Sequence, residues 1–82
     1  MTPAELAVEF VQHVESTEWA IRWVDGATTV SKPHQPEFPP FRFPPEIIRQ
    51  SVRDWLAVRG HLADVEAVAV AVEELLRRDR GG

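Results

Sequence analysis

The sequence contains no cysteine, so disulfide bonds are excluded as a source of stability. It has only three histidines, scattered along the chain, which argues against a structural metal site. These absences matter because a chain of 82 residues buries a small core, and small domains often add disulfides, a metal ion or a partner chain. Oligomerisation, for example as a homodimer, or binding to a protein partner is the route that stays open.

The sequence also lacks a long hydrophobic run. The longest purely apolar stretch is residues 67–72, which is far shorter than a membrane span. The first residues, Met1 to Glu5, show neither the basic start nor the apolar run of a signal peptide. Together with the absence of cysteine, these features predict a cytoplasmic protein that does not enter a membrane.

Catalytic motifs are absent as well. The sequence has no Gly-rich phosphate loop, no nucleophile elbow and no His-Glu-x-x-His pattern. Glu9 and His13, four residues apart, could share a metal ion, but a third ligand would have to come from His34 or His61, and no spacing demands this. We therefore predict no catalytic residue, no metal, no cofactor and no enzyme activity.

Three segments have the pattern of amphipathic helices. Thr2 and Glu5 are spaced for a capping box, which predicts a first helix over about 3–16. Apolar residues recur at helical spacing in two later segments, which predicts helices over about 45–59 and 62–79. The apolar face of the middle helix comprises Ile47, Ile48, Val52, Trp55, Leu56 and Val58. We expect the last two helices to form a helical hairpin against which the rest of the chain packs.

Residues 17–32 fit two interpretations. The first helix could continue and end at Gly26, which would serve as its C-terminal cap. Alternatively, Asp25-Gly26 is typical of a two-residue β-turn, and the β-branched and aromatic residues on either side favour strands. We prefer a β-hairpin over about 18–31, because the helix would leave a long structureless segment before residue 44.

Residues 33–44 form a proline-rich segment in which Phe38, Phe41 and Phe43 alternate with prolines. Such a run cannot be a helix or a central strand, so we expect an extended segment of polyproline II character. Two roles are open for it: an aromatic groove of a partner could bind the prolines, or the phenylalanines could anchor the segment in the chain's own core.

These elements predict a mainly α-helical, small single domain. It would comprise an N-terminal helix, a short β-hairpin, an extended Pro/Phe-rich segment and a C-terminal helical hairpin. Its expected core is Leu6, Phe10, Val14, Ile48, Val52, Trp55, Leu56, Val65, Val68, Val72 and Leu75.

A local resemblance concerns residues 41–66. Phe41-Arg42-Phe43-Pro44-Pro45-Glu46-Ile47-Ile48, followed by Val52, Trp55 and Leu56, resembles the opening of the N-terminal helix-turn-helix in one group of bacterial insertion-sequence transposases, and Asp64-Val65-Glu66 resembles the start of its second helix. The resemblance implies DNA binding at transposon ends. The chain lacks the separate Asp-Asp-Glu catalytic core and a third helix after Arg80, so no functional residue is transferred.

The sequence favours a non-catalytic protein-interaction module, a small acidic adaptor or inhibitor. Surplus aromatic residues are its candidate partner-binding residues, namely Trp19, Trp23, Phe38 and Phe41, although the tryptophans could equally belong to the core. The net charge of −4 suits a basic partner, including a nucleic-acid-binding protein. The alternative is a small helix-turn-helix-like DNA-binding regulator that uses the C-terminal helical pair, with candidate residues Arg42, Arg49 and Arg53. The acidity makes direct DNA binding the less favoured hypothesis.

Overall fold

The computed structural model describes residues 2–60 and 64–79. Three helices and three strands follow one another in the order α1 (Pro3–Ser16), β1 (Ala20–Val24), β2 (Ala27–Ser31), β3 (Phe41–Phe43), α2 (Pro45–Val58) and α3 (Val65–Asp79). The helices form the larger part, and the strands make one antiparallel sheet in the order β1-β2-β3. None of these helices combines the length and the apolar character needed to cross a membrane.

Helix α1 begins with the predicted capping box. The backbone N–H of Glu5 donates to the hydroxyl oxygen of Thr2 at 3.2 Å, and the backbone N–H of Thr2 donates to Oε1 of Glu5 at 3.2 Å. The hydroxyl of Thr2 also donates to Oε1 of Glu5, at 2.9 Å. The two hydrogen bonds that the carboxylate of Glu5 accepts from Thr2, first from the backbone N–H and then from the hydroxyl, lower the pKa of Glu5 because they stabilise its carboxylate form. The helix ends at Ser16, as the sequence predicts, and the chain turns into β1 through Glu18, whose φ is 70°.

The hairpin interpretation of residues 18–31 is confirmed, and the continued helix is wrong. Asp25 and Gly26 have φ values of 51° and 77°, as both central residues of a type I′ turn require. The turn sets the register, in which Val24 lies opposite Ala27 and Ile21 lies opposite Val30. The backbone conformation of Asp25 and Gly26 in the turn therefore determines that this segment folds as a hairpin.

The proline-rich segment differs from the prediction. It turns twice, since the N–H of Gln35 donates to the carbonyl of Lys32 and the N–H of Phe38 donates to the carbonyl of Gln35, each at 3.0 Å. Residues 41–43 then form β3, which pairs with β2 at the edge of the sheet. An edge strand tolerates flanking prolines, because only one side of it needs backbone donors. A single extended segment over 33–44 was therefore the wrong expectation, and the strand was missed.

Helix α3 is the element around which the other helices pack. It contacts α1, α2 and β1, and its interface with α1 is more extensive than its interface with α2. The carboxylate of Asp64 accepts the N–H groups of Glu66 at 3.0 Å and Ala67 at 3.3 Å, so it caps the first turn. The predicted hairpin of α2 and α3 is present as a packed pair, whereas the predicted start of the last helix at residue 62 and the last residue of the turn expected at 59–61 lie outside the described residues.

The core joins all three helices to the inner face of the sheet. Its buried residues are Leu6, Ala7, Phe10, Val11, Ile21, Val30, Ile48, Val52, Trp55, Leu56, Val68, Val72 and Leu76. Three residues expected in the core, Val14, Val65 and Leu75, are only half-buried and pack against it. The expected list also omitted Ile21 and Val30, which the hairpin contributes from its inner face.

Candidate binding groove

An apolar groove lies between α1 and α2 over the inner face of the sheet, with a volume of about 730 Å³. We call it the α1–α2 groove. It is lined by Phe10, His13, Val14 and Thr17 of α1 and its C-terminal cap, by Trp19, Ile21, Val30, Phe41 and Phe43 of the sheet region, and by Ile48, Ser51, Asp54, Trp55 and Val58 of α2. Volumes of this size are typical of binding sites.

The two walls of the groove follow from helical periodicity. On α1 the lining residues recur at intervals of three and four from Phe10 to Thr17, so they share one face. On α2 the lining residues from Ile48 to Val58 recur in the same way. Each wall is therefore a continuous stripe that runs along its helix.

The floor of the groove is a row of side chains across the sheet. Ile21, Val30 and Phe41 are direct cross-strand neighbours in the register of the three strands. Alternation along each strand turns them all to the side that the helices cover. Since β2 pairs with a strand on each side, the floor offers side chains rather than free backbone groups.

Trp55 links the two walls. Its ring makes an edge-to-face contact with Phe10, with the centroids 5.6 Å apart, and lies 6.4 Å from the ring of His13. The guanidinium of Arg59 lies 4.9 Å from the centroid of the Trp55 ring and also pairs with Oε1 of Glu9 at 3.5 Å. These contacts hold α1 and α2 together across the groove, so its shape does not depend on the exposed residues of the rim.

The rim of the groove carries exposed apolar side chains. Val58 on α2 is 89% exposed and Phe41 on β3 is 47% exposed. Of the residues that the structure describes, Asp54 contributes the single carboxylate of the lining, which accepts a hydrogen bond from the side-chain amide of Gln50 at 2.9 Å. Val58 follows Asp54 by one helical turn, so an apolar and an acidic group stand side by side on this rim.

The structure brings two of the four predicted partner-binding residues into the groove. Trp19 lines it, half-buried beneath the ammonium group of Lys32, which is 4.6 Å from the ring centroid. Phe41 forms part of the floor and rim. Trp23 is half-buried outside the groove, beneath the guanidinium of Arg77 at 4.9 Å.

The other phenylalanines of the proline-rich segment divide between surface and core. Phe38 is 47% exposed and lies outside the groove, 5.5 Å from the ammonium of Lys32. Phe43 packs against the core. The interpretation of the phenylalanines as buried anchors therefore holds for Phe43 and is wrong for Phe38 and Phe41.

The most exposed apolar residue of the groove is Val58. The sequence placed Val58 on the apolar face of α2 but not in the expected core, and its side chain is open to solvent. The signal available in the sequence was its position directly before Arg59 and Gly60, at the end of the helix. Side chains there have fewer neighbouring turns to pack against.

Within residues 2–60 and 64–79, no three His, Cys, Asp or Glu side chains are grouped so that they could hold a metal ion. Glu9 is paired with Arg59, and the ring of His13 lies beside Trp55. His61, one of the alternative third ligands, lies outside the described residues.

The three arginines of the DNA-binding hypothesis have different surroundings. Arg42 donates from its guanidinium to the carbonyl of Asp25 at 3.1 Å, at the hairpin turn. Arg49 pairs with Glu66 of α3, and this hydrogen bond, together with the charge of Glu66, raises the pKa of Arg49. Arg53 is exposed on α2. Direct DNA binding through these residues stays a prediction.

Comparisons of the chain with protein-family models, with curated proteins and with solved structures find no match. The resemblance of residues 41–66 to a transposase helix-turn-helix therefore stays a prediction.

Proposed function

We propose that this chain is a non-catalytic protein-interaction module, a small acidic adaptor or inhibitor that binds its partner in the α1–α2 groove. The observation that carries the proposal is the exposure of Val58 and Phe41 on the rim of a concave, largely apolar surface. Isolated apolar side chains on a protein surface are ordinary, but a concave cluster of them is typical of a binding site.

Covering this surface would contribute to the free energy of binding. Val58 is 89% exposed, so covering it would contribute about 2 kcal/mol, whereas Phe41 is 47% exposed and would contribute about 1 kcal/mol. Trp19 adds a half-buried indole at the same site, and tryptophan is enriched among the residues that dominate binding energies. These contributions sum to a few kcal/mol, so a partner must also cover other parts of the groove to offset the cost of association.

The charge of the chain favours a basic partner. The net charge is −4, and the carboxylate of Asp54 lies in the lining of the groove. Complementary charges increase the association rate and select among partners. A nucleic-acid-binding protein whose basic surface is blocked by this chain fits these properties, and a cytoplasmic location stays part of the prediction.

The test is an affinity pull-down from host lysate, with and without nuclease, using the wild-type chain and the variants Val58→Lys and Val70→Lys. Val70 is also an exposed helical valine, at 44%, but it lies on α3 outside the groove. The new lysine follows Asp54 by four residues in one variant and Glu66 by four in the other, so both helices gain a favourable pair. Both variants should therefore fold.

We expect a protein that survives nuclease treatment to be captured by the wild type and by Val70→Lys, and to be lost with Val58→Lys. Equal capture by both variants would contradict the proposal. Capture that disappears with nuclease would favour the DNA-binding alternative.

A homodimer that uses the same groove would be detected by sedimentation equilibrium. In that case the mass of the purified chain would rise with concentration, and Val58→Lys would abolish the rise. A monomer at all concentrations would exclude a second copy as the occupant.

A further inference from the structure

We infer that the segment of the partner that fills the α1–α2 groove is an amphipathic α-helix of about two to three turns, with a basic residue that faces Asp54. This inference rests on the proposed function and specifies its partner.

The lengths of the two walls set the length of the occupant. The lining stripe of α1 extends from Phe10 to Thr17, which is about 10 Å at 1.5 Å per residue. The stripe of α2 extends from Ile48 to Val58, which is about 15 Å on the same scale. A helix with a pitch of 5.4 Å covers these lengths in about two to three turns.

The shortage of polar groups in the groove selects a helix over an extended peptide. An extended segment needs external partners for its backbone N–H and C=O groups, whereas a helix satisfies most of them internally. Among the described residues, the polar side chains in the lining are His13, Thr17, Ser51 and Asp54, all on the helical side of the groove, together with the indole N–H groups of Trp19 and Trp55. An extended peptide buried here would leave backbone groups without hydrogen bonds, at a substantial energetic cost.

Pairing of a partner strand with β3, one of the two edges of the sheet, is disfavoured for a related reason. The edge strand β3 has only three residues, Phe41–Phe43, and prolines precede and follow it. Proline has no N–H to donate, so this edge cannot support a long ladder of hydrogen bonds.

The position of Asp54 sets the charge of the occupant. In the described part of the chain it is the only carboxylate in the lining, and the neighbouring ion pair of Glu9 with Arg59 already balances its own charges. A lysine or arginine at the edge of the helix's apolar stripe would face Asp54 while the stripe itself covers Val58.

The experiment uses two peptide display libraries selected against the wild-type chain. One library carries apolar residues at the i, i+3, i+4, i+7 spacing of a helix, and the other alternates apolar and polar residues as a strand does. Bound peptides are then measured by fluorescence anisotropy against the wild type, Val58→Lys and Val70→Lys.

We expect the helical library to yield peptides that bind the wild type and Val70→Lys but not Val58→Lys, and that carry a Lys or Arg beside the apolar stripe. Replacement of that basic residue by Glu should weaken binding to the wild type about fivefold, the upper range for a partly exposed ion pair. The Asp54→Lys variant should reverse this preference, while Glu74→Lys, the same charge change outside the groove, should leave it unchanged.

The possible failures are distinguishable. If only the alternating library yields peptides that depend on Val58, the groove binds protein segments and the helical occupant is refuted. If the selected helices show no preference for a basic residue, the pairing with Asp54 is refuted. If no peptide from either library depends on Val58, the proposed function fails together with this inference.

Discussion

Two adjacent leucines on α3 provide a direct test of the packing. Leu76 is completely buried, whereas Leu75 is only half-buried at the edge of the core. Replacement of Leu76 by alanine removes three carbon groups, worth about 2.4 kcal/mol in transfer free energy at about 0.8 kcal/mol each. The residual cavity raises the expected loss to about 3–4 kcal/mol. The same change at Leu75 should cost about 1 kcal/mol, because part of that side chain already contacts water and little cavity forms.

The assay is equilibrium unfolding in urea, followed by tryptophan fluorescence. Trp55 is buried and the other two tryptophans pack against the core, so the signal reports on loss of tertiary structure. A domain of 82 residues has a total stability of about 4–12 kcal/mol, so Leu76→Ala should remove at least about a quarter of it, and its thermal midpoint should fall by about 12–32 °C. The dependence of the unfolding free energy on urea should stay unchanged in both variants. If Leu75→Ala costs as much as Leu76→Ala or more, the buried face of α3 is rotated by about 100° and the reasoning is refuted.

Two further predictions concern charged residues. Because the folded chain lowers the pKa of Glu5 below its usual 4.5, the stability that Glu5 contributes is complete above that value and is lost as the pH falls through the lowered pKa. Glu5→Gln keeps a capping side chain without this titration, so its urea midpoint should fall less steeply than that of the wild type below about pH 4.5, and identical pH profiles would contradict this. We also expect no salt-dependent binding of the wild-type chain to duplex DNA, since the chain is acidic and Arg49 is paired with Glu66. A DNA affinity that falls with salt and is lost in Arg53→Glu, a change that leaves the pair of Arg49 intact, would instead favour the helix-turn-helix alternative.

The features that could be predicted from the sequence are those set by neighbouring residues. Thr2 and Glu5 determine the start of α1 through hydrogen bonds within a single turn. Asp25 and Gly26 determine the hairpin, because few residue pairs accept positive φ at both positions. These signals do not depend on how the elements pack, so they can be read without the tertiary structure.

The features that could not be predicted depend on contacts between distant segments. Strand β3 has three residues, too few to show an alternating pattern, and it forms because β2 offers a free edge. The apolar stripe of α3 was identified, but Leu75 and Leu76 are neighbours on it, and only packing against α1 and α2 decides which is completely buried. Periodicity in the sequence shows that a helix has an apolar face, but it does not show which other elements cover that face.

The same limit explains why the candidate site was found only in part. The prediction selected aromatic residues. It therefore included Trp19 and Phe41, which line the groove, but also Trp23 and Phe38, which do not. Val58 is an ordinary residue of an amphipathic helix in the sequence, and its exposure follows from the separation of α1 and α2 over the floor of the sheet. Since the chain buries the rest of that apolar face except Ile47, a partner that covers Val58 would extend an existing core rather than create a new one. The substitution of Val58 therefore separates binding from folding, which substitution of the half-buried Trp19 cannot do.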